Sequence, residues 1–169
     1  MLDRLAKLFG GGASARGVAK ALGKQMGVAP TTAGGSQRLV GAWKGGRCQI
    51  VLDAENDRMT VGAGTSCRDP SWEIRWTDGD EDLTFVSPHV ALTSIDAERF
   101  EALPLKTRVH VIDVVEAGHG SIRLERGTFT LQVRPAGLAR PNAAEQAAIR
   151  LDVMVELAAA AGAAFSRVR

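Results

Sequence analysis

The sequence is poor in aromatic side chains: it has no Tyr, and Phe and Trp together make up 5% of its 169 residues. Proteins that bind single-stranded nucleic acid stack the bases on aromatic rings. The net charge is also small, at +2, whereas a dedicated nucleic-acid binder needs clustered Lys and Arg to contact phosphates. Both features disfavour nucleic acid as a partner.

Cysteine and long apolar runs are scarce as well. Cys48 and Cys67 are 19 positions apart, which is not the spacing of a metal knuckle, and we expect two buried thiols. No apolar run approaches the roughly 18 residues that a membrane-spanning helix requires. Lys7 interrupts the short apolar stretch at residues 5–9, so no secretory signal is predicted. We therefore expect a cytoplasmic protein, with peripheral membrane contact as an alternative.

No motif predicts a cofactor, a metal or a catalytic residue. Gly17 and Gly23 are separated by five residues, and Gln25 follows Lys24, whereas a phosphate loop needs four residues between its glycines and a hydroxyl after the lysine. The spacing of the histidines matches no metal-binding motif. They are His89, His110 and His119.

Charge is distributed unevenly along the chain. The first 40 residues carry six basic side chains and one acidic side chain, which gives +5 and leaves −3 for the remainder. Within residues 15–26, basic and apolar side chains alternate at helical spacing, which is typical of a helix that docks on a bilayer or a partner. Gly17 and Gly23 within this segment and Gly27 directly after it weaken the helix, so a docking helix and a disordered arm both remain open. The predicted partner-binding residues of the arm are Arg4, Lys7, Arg16, Val18, Lys20, Leu22, Lys24 and Met26.

The stretch at residues 29–36 consists of small residues with little to bury, and it is typical of a flexible linker. We therefore predict an arm with a Gly/Ala/Thr-rich linker at residues 1–37 and one domain at residues 38–169.

Alternating apolar and polar residues predict about six or seven strands after residue 38, connected as meander-like antiparallel hairpins. One of these strands is placed at residues 108–115, and a short helix closed by Pro104 is placed before it. Asn142 is a candidate cap for a long C-terminal helix whose apolar side includes Ile149 and whose polar side includes Arg150. The prediction is an α+β fold in which this helix packs on an antiparallel sheet.

The functional hypothesis is a non-enzymatic binding or scaffolding module. Its basic arm would dock on a partner protein, a second subunit or an anionic membrane surface. The alternative is a small-ligand-binding protein or enzyme with a pocket between the sheet and the C-terminal helix. Candidate ligand-binding residues for that pocket are Trp72, Trp76, His110, Asp113 and His119.

Overall fold

The structure is a computed structural model that describes residues 14–67, 72–79, 83–93, 95 and 97–165. Nine strands form one antiparallel sheet in the order β1-β2-β3-β4-β9-β8-β5-β7-β6. The strands are β1 (Thr31–Ala33), β2 (Ser36–Trp43), β3 (Gly46–Asp53), β4 (Arg58–Gly64), β5 (Trp72–Trp76), β6 (Thr84–Ser87), β7 (Val90–Leu92), β8 (Ser121–Glu125) and β9 (Thr128–Val133).

Four helices complete the described chain, and the three longest of them pack on one side of the sheet. They are α1 (Ala15–Met26), α2 (Ala97–Glu101), α3 (Leu105–Gly118) and α4 (Ala143–Phe165). α1 contacts β2 and β3, α3 contacts β5 and β7, and α4 crosses β2, β3, β4 and β9. The predicted α+β class, with a long C-terminal helix on an antiparallel sheet, is confirmed.

The core lies between the sheet and this helical layer. Side chains alternate along the central strands, so that in β3 Cys48, Ile50 and Leu52 are buried while their neighbours are half-buried or exposed. A period of two places one set of side chains under the helices and the other set on the opposite face. The helices themselves close the core with small and branched residues.

The predicted flexible linker is partly strand in the structure. Ala33 pairs with Ser36, and Gly34 and Gly35 between them have φ of 55° and 81°. Two residues of positive φ make a tight hairpin turn whose twist matches the strands, and glycine adopts it without strain. The small residues therefore form a hairpin, which connects α1 directly to the sheet.

The prediction of a strand at residues 108–115 is wrong, because this segment belongs to α3. Its many β-branched residues favour a strand locally. Its buried residues are nevertheless spaced as on one face of a helix, at i, i+4, i+7, i+8 and i+11. They are Thr107, Val111, Val114, Val115 and Gly118. Pro104, which was expected to close the preceding short helix, is the residue directly before α3. Proline is tolerated at a helix start.

The apolar side predicted for α4 is largely confirmed, because Val153, Leu157 and Ala161 are buried. Two positions depart from it. Ile149 is 43% exposed and Arg150 only 7% exposed. The helix packs through small residues such as Ala147 and Ala158 together with Leu151 and Met154. Protein interiors are close-packed, and at this contact the small side chains of α4 are buried while Ile149 stays partly exposed.

Candidate functional site

The side of the sheet opposite the helices is a polar surface, which we call the open face. Its side chains line up across strands in register, and one such row runs from Arg38 through Val51 and Thr60 to Gln132 and Ser121. In the described chain, the three long helices contact the other side. The open face comprises Arg38, Val40, Arg47, Gln49, Val51, Asp53, Arg58, Thr60, Glu73, Arg75, Ser121, Arg123, Glu125, Thr128, Thr130, Gln132 and Arg134.

All the cations of the open face are arginines, and some of them are paired with carboxylates. Arg123 donates from Nε to Glu73 Oε1 at 2.7 Å, and this hydrogen bond raises the pKa of Arg123. Arg58 Nη2 lies 3.6 Å from Asp53 Oδ2, a carboxylate whose pKa is lowered chiefly by the side-chain hydrogen bond from Asn56.

Three other arginines of the open face form no ion pair with any described residue. Arg38 donates from Nη2 to the side-chain carbonyl of Gln49 at 3.1 Å, which is a neutral partner. Arg47 and Arg134 are exposed. The open face therefore presents uncompensated guanidinium groups, which are suited to bidentate recognition of carboxylates or phosphates.

A concavity of about 390 Å³ lies at one end of the open face. Trp76 and His119 form its wall, with their rings stacked at a centroid distance of 4.4 Å. His89 packs on Trp76 at 6.2 Å. The concavity is also lined by Arg123, which is paired with Glu73, and by Arg134, which forms no ion pair with a described residue. An aromatic and imidazole wall next to guanidinium groups can hold a planar or anionic group.

Trp72 lies in the core rather than in this concavity. Its side chain is 1% exposed and meets the ring of Phe129 edge-to-face, with centroids 4.9 Å apart. Trp72 and Trp76 lie on the same side of β5, as the alternating pattern predicts. Only Trp76, at the end of the strand, is partly exposed.

His110 lies in a different part of the molecule, on α3 facing α4. Its Nδ1 is 3.1 Å from Glu156 Oε2, and Thr107 Oγ1 donates to Glu156 Oε1 at 2.8 Å. Burial opposes ionisation of Glu156, but the hydrogen bonds from Thr107 and His110 outweigh it and lower the pKa of this carboxyl. A surface groove of about 450 Å³ borders this pair.

The five candidate ligand-binding residues are therefore not gathered in one pocket. Trp76 and His119 meet, whereas His110 is about 13 Å from His119 along the axis of α3, given 1.5 Å per residue. Asp113 is exposed on the outer side of the same helix.

The arm residues divide between core and surface. Val18 and Leu22 are 3% and 0% exposed and belong to the core, and Met26 packs against it. Ser14 caps α1 through its hydroxyl, which accepts from Gly17 N at 3.1 Å. The basic residues Arg16, Lys20 and Lys24 remain exposed on the outer side of α1, and Arg4 and Lys7 lie outside the described residues. The apolar side of the arm is thus already occupied by the protein's own sheet.

Sequence reasoning missed the open face as a site. The signal was present, because Arg38, Arg47 and Arg123 each alternate with apolar neighbours in a strand. The sequence alone does not show that these strands are adjacent, since β4 pairs with β9, which lies more than 60 residues further along the chain.

Among the described residues, no group of His, Cys, Asp or Glu side chains is arranged to hold a metal ion. The helices in the same part of the chain include none that is long and apolar enough to cross a membrane. Cys48 and Cys67 are both free and buried, and burial raises the pKa of the Cys48 thiol.

Comparison with known proteins assigns no family. No protein-family model matches the chain, and no curated protein sequence matches it. Among solved structures, the chain is similar to the crystal structure of the mycobacterial trehalose monomycolate transport factor A, TtfA. The two share 14% sequence identity, with a TM-score of 0.42, over 79% of this chain and 83% of that chain. Similarity this low does not assign a ligand or an activity.

Proposed function

We propose that this protein is a non-enzymatic binding module and that its open face docks an acidic surface of a partner protein. The observation that carries the proposal is the set of arginines without carboxylate partners, Arg38, Arg47 and Arg134, on a broad sheet face to which no long helix is packed in the described chain. Arginine is enriched at protein interfaces, where its planar group pairs with carboxylates in two hydrogen bonds.

The composition of the open face favours a protein over a nucleic acid or a membrane. Its carboxylates Asp53, Glu73 and Glu125 would repel a continuous row of phosphates, but they are compatible with the mixed charges of a protein surface. Base stacking would need aromatic rings along the strands, and the open face has Trp76 and His119 only at its rim. Insertion into a bilayer would need more apolar side chains than Val40 and Val51 provide.

The basic side of α1 offers a second docking surface, which corresponds to the arm predicted from the sequence. Arg16, Lys20 and Lys24 are exposed there and form no ion pair with described residues. In this second proposal, the basic side of α1 docks on an anionic membrane surface, a partner protein or a second subunit, while α1 stays packed on the sheet. Only its polar side is available, since Val18 and Leu22 are buried.

A pair of charge reversals distinguishes the two surfaces. The double variant Arg38→Glu with Arg47→Glu changes the open face, and Lys20→Glu with Lys24→Glu makes the same change in net charge on α1. The α1 substitutions lie on the other side of β2, so each variant is the matched control for the other. Binding to an immobilised glutamate-rich peptide is measured as a function of salt.

We expect the open-face variant to lose at least about tenfold in affinity, because interfacial charge pairs couple by a few kcal/mol. The α1 variant should bind nearly as the wild type does. A larger loss of affinity in the α1 variant than in the open-face variant would support the α1 surface instead. Binding to duplex DNA or to anionic vesicles, but not to the peptide, would contradict a protein partner.

A further inference from the structure

A second cavity, of about 360 Å³, lies where the end of α3, the loop after β9 and the start of α4 meet. Basic and amide side chains from all three elements line it: His119 from the end of α3, Arg140 from the loop, and Asn142, Gln146 and Arg150 from α4 and the residue before it. No described Asp or Glu lines this cavity. The cavity is therefore a polar site with cations on more than one side.

Three of these side chains share one face of α4. Asn142, Gln146 and Arg150 follow one another at intervals of four residues, which brings them into line on a helix. Asn142 accepts the first backbone hydrogen bond of this turn, from Gln146 N at 3.0 Å. The cavity thus lies against the first two turns of a 23-residue helix, where unpaired backbone N–H groups give a partial positive charge.

Arg150 is a buried cation without a carboxylate partner among the described residues. It is 7% exposed, and both of its hydrogen bonds are made by Nη1, to Ala136 O at 3.2 Å and to Met59 Sδ at 3.5 Å. Both partners are neutral. Burial lowers the pKa of Arg150 and the nearby Arg140 adds to this, while Asp57 opposes it. A buried, permanently charged guanidinium normally needs a counter-charge.

Asp57 is close enough to act on Arg150 electrostatically, but the two side chains share no hydrogen bond. The Asp57 oxygens instead accept from the backbone of the loop after β9. Oδ2 accepts from Gly137 N at 3.1 Å and Oδ1 accepts from Leu138 N at 2.9 Å. These two hydrogen bonds hold the loop that carries Arg140. The carboxylate therefore shapes the cavity and does not fill it.

The loop also constrains the position of Arg140. Gly137 has a φ of 71°, and a Cβ built on it would come 3.0 Å from Arg140 Cδ. The stem of Arg140 therefore packs closely on Gly137, and a side chain at position 137 would have to displace it by a few tenths of an ångström. Arg140 and Arg150 both line the cavity.

We propose that this cavity binds a phosphate group, either free or carried by a small molecule. Arg140 and Arg150 would pair with the phosphate oxygens, and the side-chain amides of Gln146 and Asn142 would donate further hydrogen bonds. The anion would place a counter-charge in direct contact with Arg150, in addition to the charge of Asp57. This cavity adjoins the concavity at the end of the open face, because His119 lines both. Its other polar lining residues are different, and its existence does not depend on the proposed protein partner.

The test is isothermal titration of the full chain with inorganic phosphate and with glycerol 3-phosphate, at an ionic strength held constant with chloride. The wild type should bind at one saturable site. Arg140→Gln and Gln146→Leu should each weaken binding, the former by about tenfold or more, since a charge-assisted pair is lost. Tighter binding of the ester would indicate a phosphate carried by a small molecule, and equal binding would indicate the free ion.

Matched controls keep the proposal falsifiable. Arg16→Gln removes the same charge from exposed α1 and should leave the titration unchanged, as should the open-face double variant. Arg150→Met should abolish binding; if that variant does not fold, Arg140→Gln and Gln146→Leu decide the question. No saturable binding by the wild type, or equal weakening by Arg16→Gln and Arg140→Gln, would overturn the proposal.

Discussion

At the scale of single residues, the structure assigns contrasting roles to side chains that look alike in the sequence. Arg150 and Arg47 are both isolated arginines between smaller residues, yet the first is 7% exposed and the second is exposed. The two histidines of α3 and its end also differ, since His110 contacts a carboxylate and His119 stacks on an indole. The difference lies in which distant element faces each residue, which no local pattern encodes.

Glu156 provides a prediction at this scale. Its pKa is lowered from the ordinary value of 4.5 in the folded protein. A group with a depressed folded pKa stabilises the fold above its unfolded pKa, and that contribution is lost as the pH falls through the folded value. Glu156→Gln should therefore lower the free energy of unfolding at neutral pH, with the difference from wild type shrinking below a pH of about 4.5.

Urea denaturation from neutral pH to about pH 3 measures this difference. Glu98→Gln is the control, since Glu98 is exposed on α2. A gap between wild type and Glu156→Gln that stays constant over the whole range would show that the contacts to Thr107 and His110 do not perturb this carboxyl.

At the scale of elements, the central strands were predictable, whereas β1 lies in the predicted linker and the helices were predictable only in part. The alternation in β3, β8 and β9 identifies them directly, because one face of each is buried. In α3, the β-branched residues hid the helical spacing of Val111, Val114 and Val115. In α1 the amphipathic pattern was recognised, but the sequence alone gave no way to know that its apolar side meets Leu39 and the core around it.

Leu22 tests whether α1 is part of the folded unit. Its side chain is 0% exposed within the core, so Leu22→Ala should cost about 2–5 kcal/mol of unfolding free energy. Lys20→Ala, two residues earlier on the exposed side of α1, should change the unfolding free energy by no more than about 0.5 kcal/mol. Denaturant unfolding in which both variants match the wild type would instead indicate an arm that contributes nothing to the stability of the domain.

At the scale of the whole molecule, the sheet separates two kinds of surface. Helices cover one side of the sheet. The other side presents more arginines than its described carboxylates pair with. The sequence showed a basic excess in its first 40 residues, but the arginines of the open face come from strands spread over nearly 100 residues, from Arg38 to Arg134. Only the pairing of β4 with β9 brings them together.

The most direct test of the proposed function is an NMR titration of the full chain with a soluble glutamate-rich peptide, observed through the backbone amides. We expect saturable shifts in the strands that carry the open face, centred on Arg38, Arg47 and Arg134, with α1 unchanged. Saturable shifts confined to Arg16, Lys20 and Lys24, or no saturable shifts at all, would contradict it.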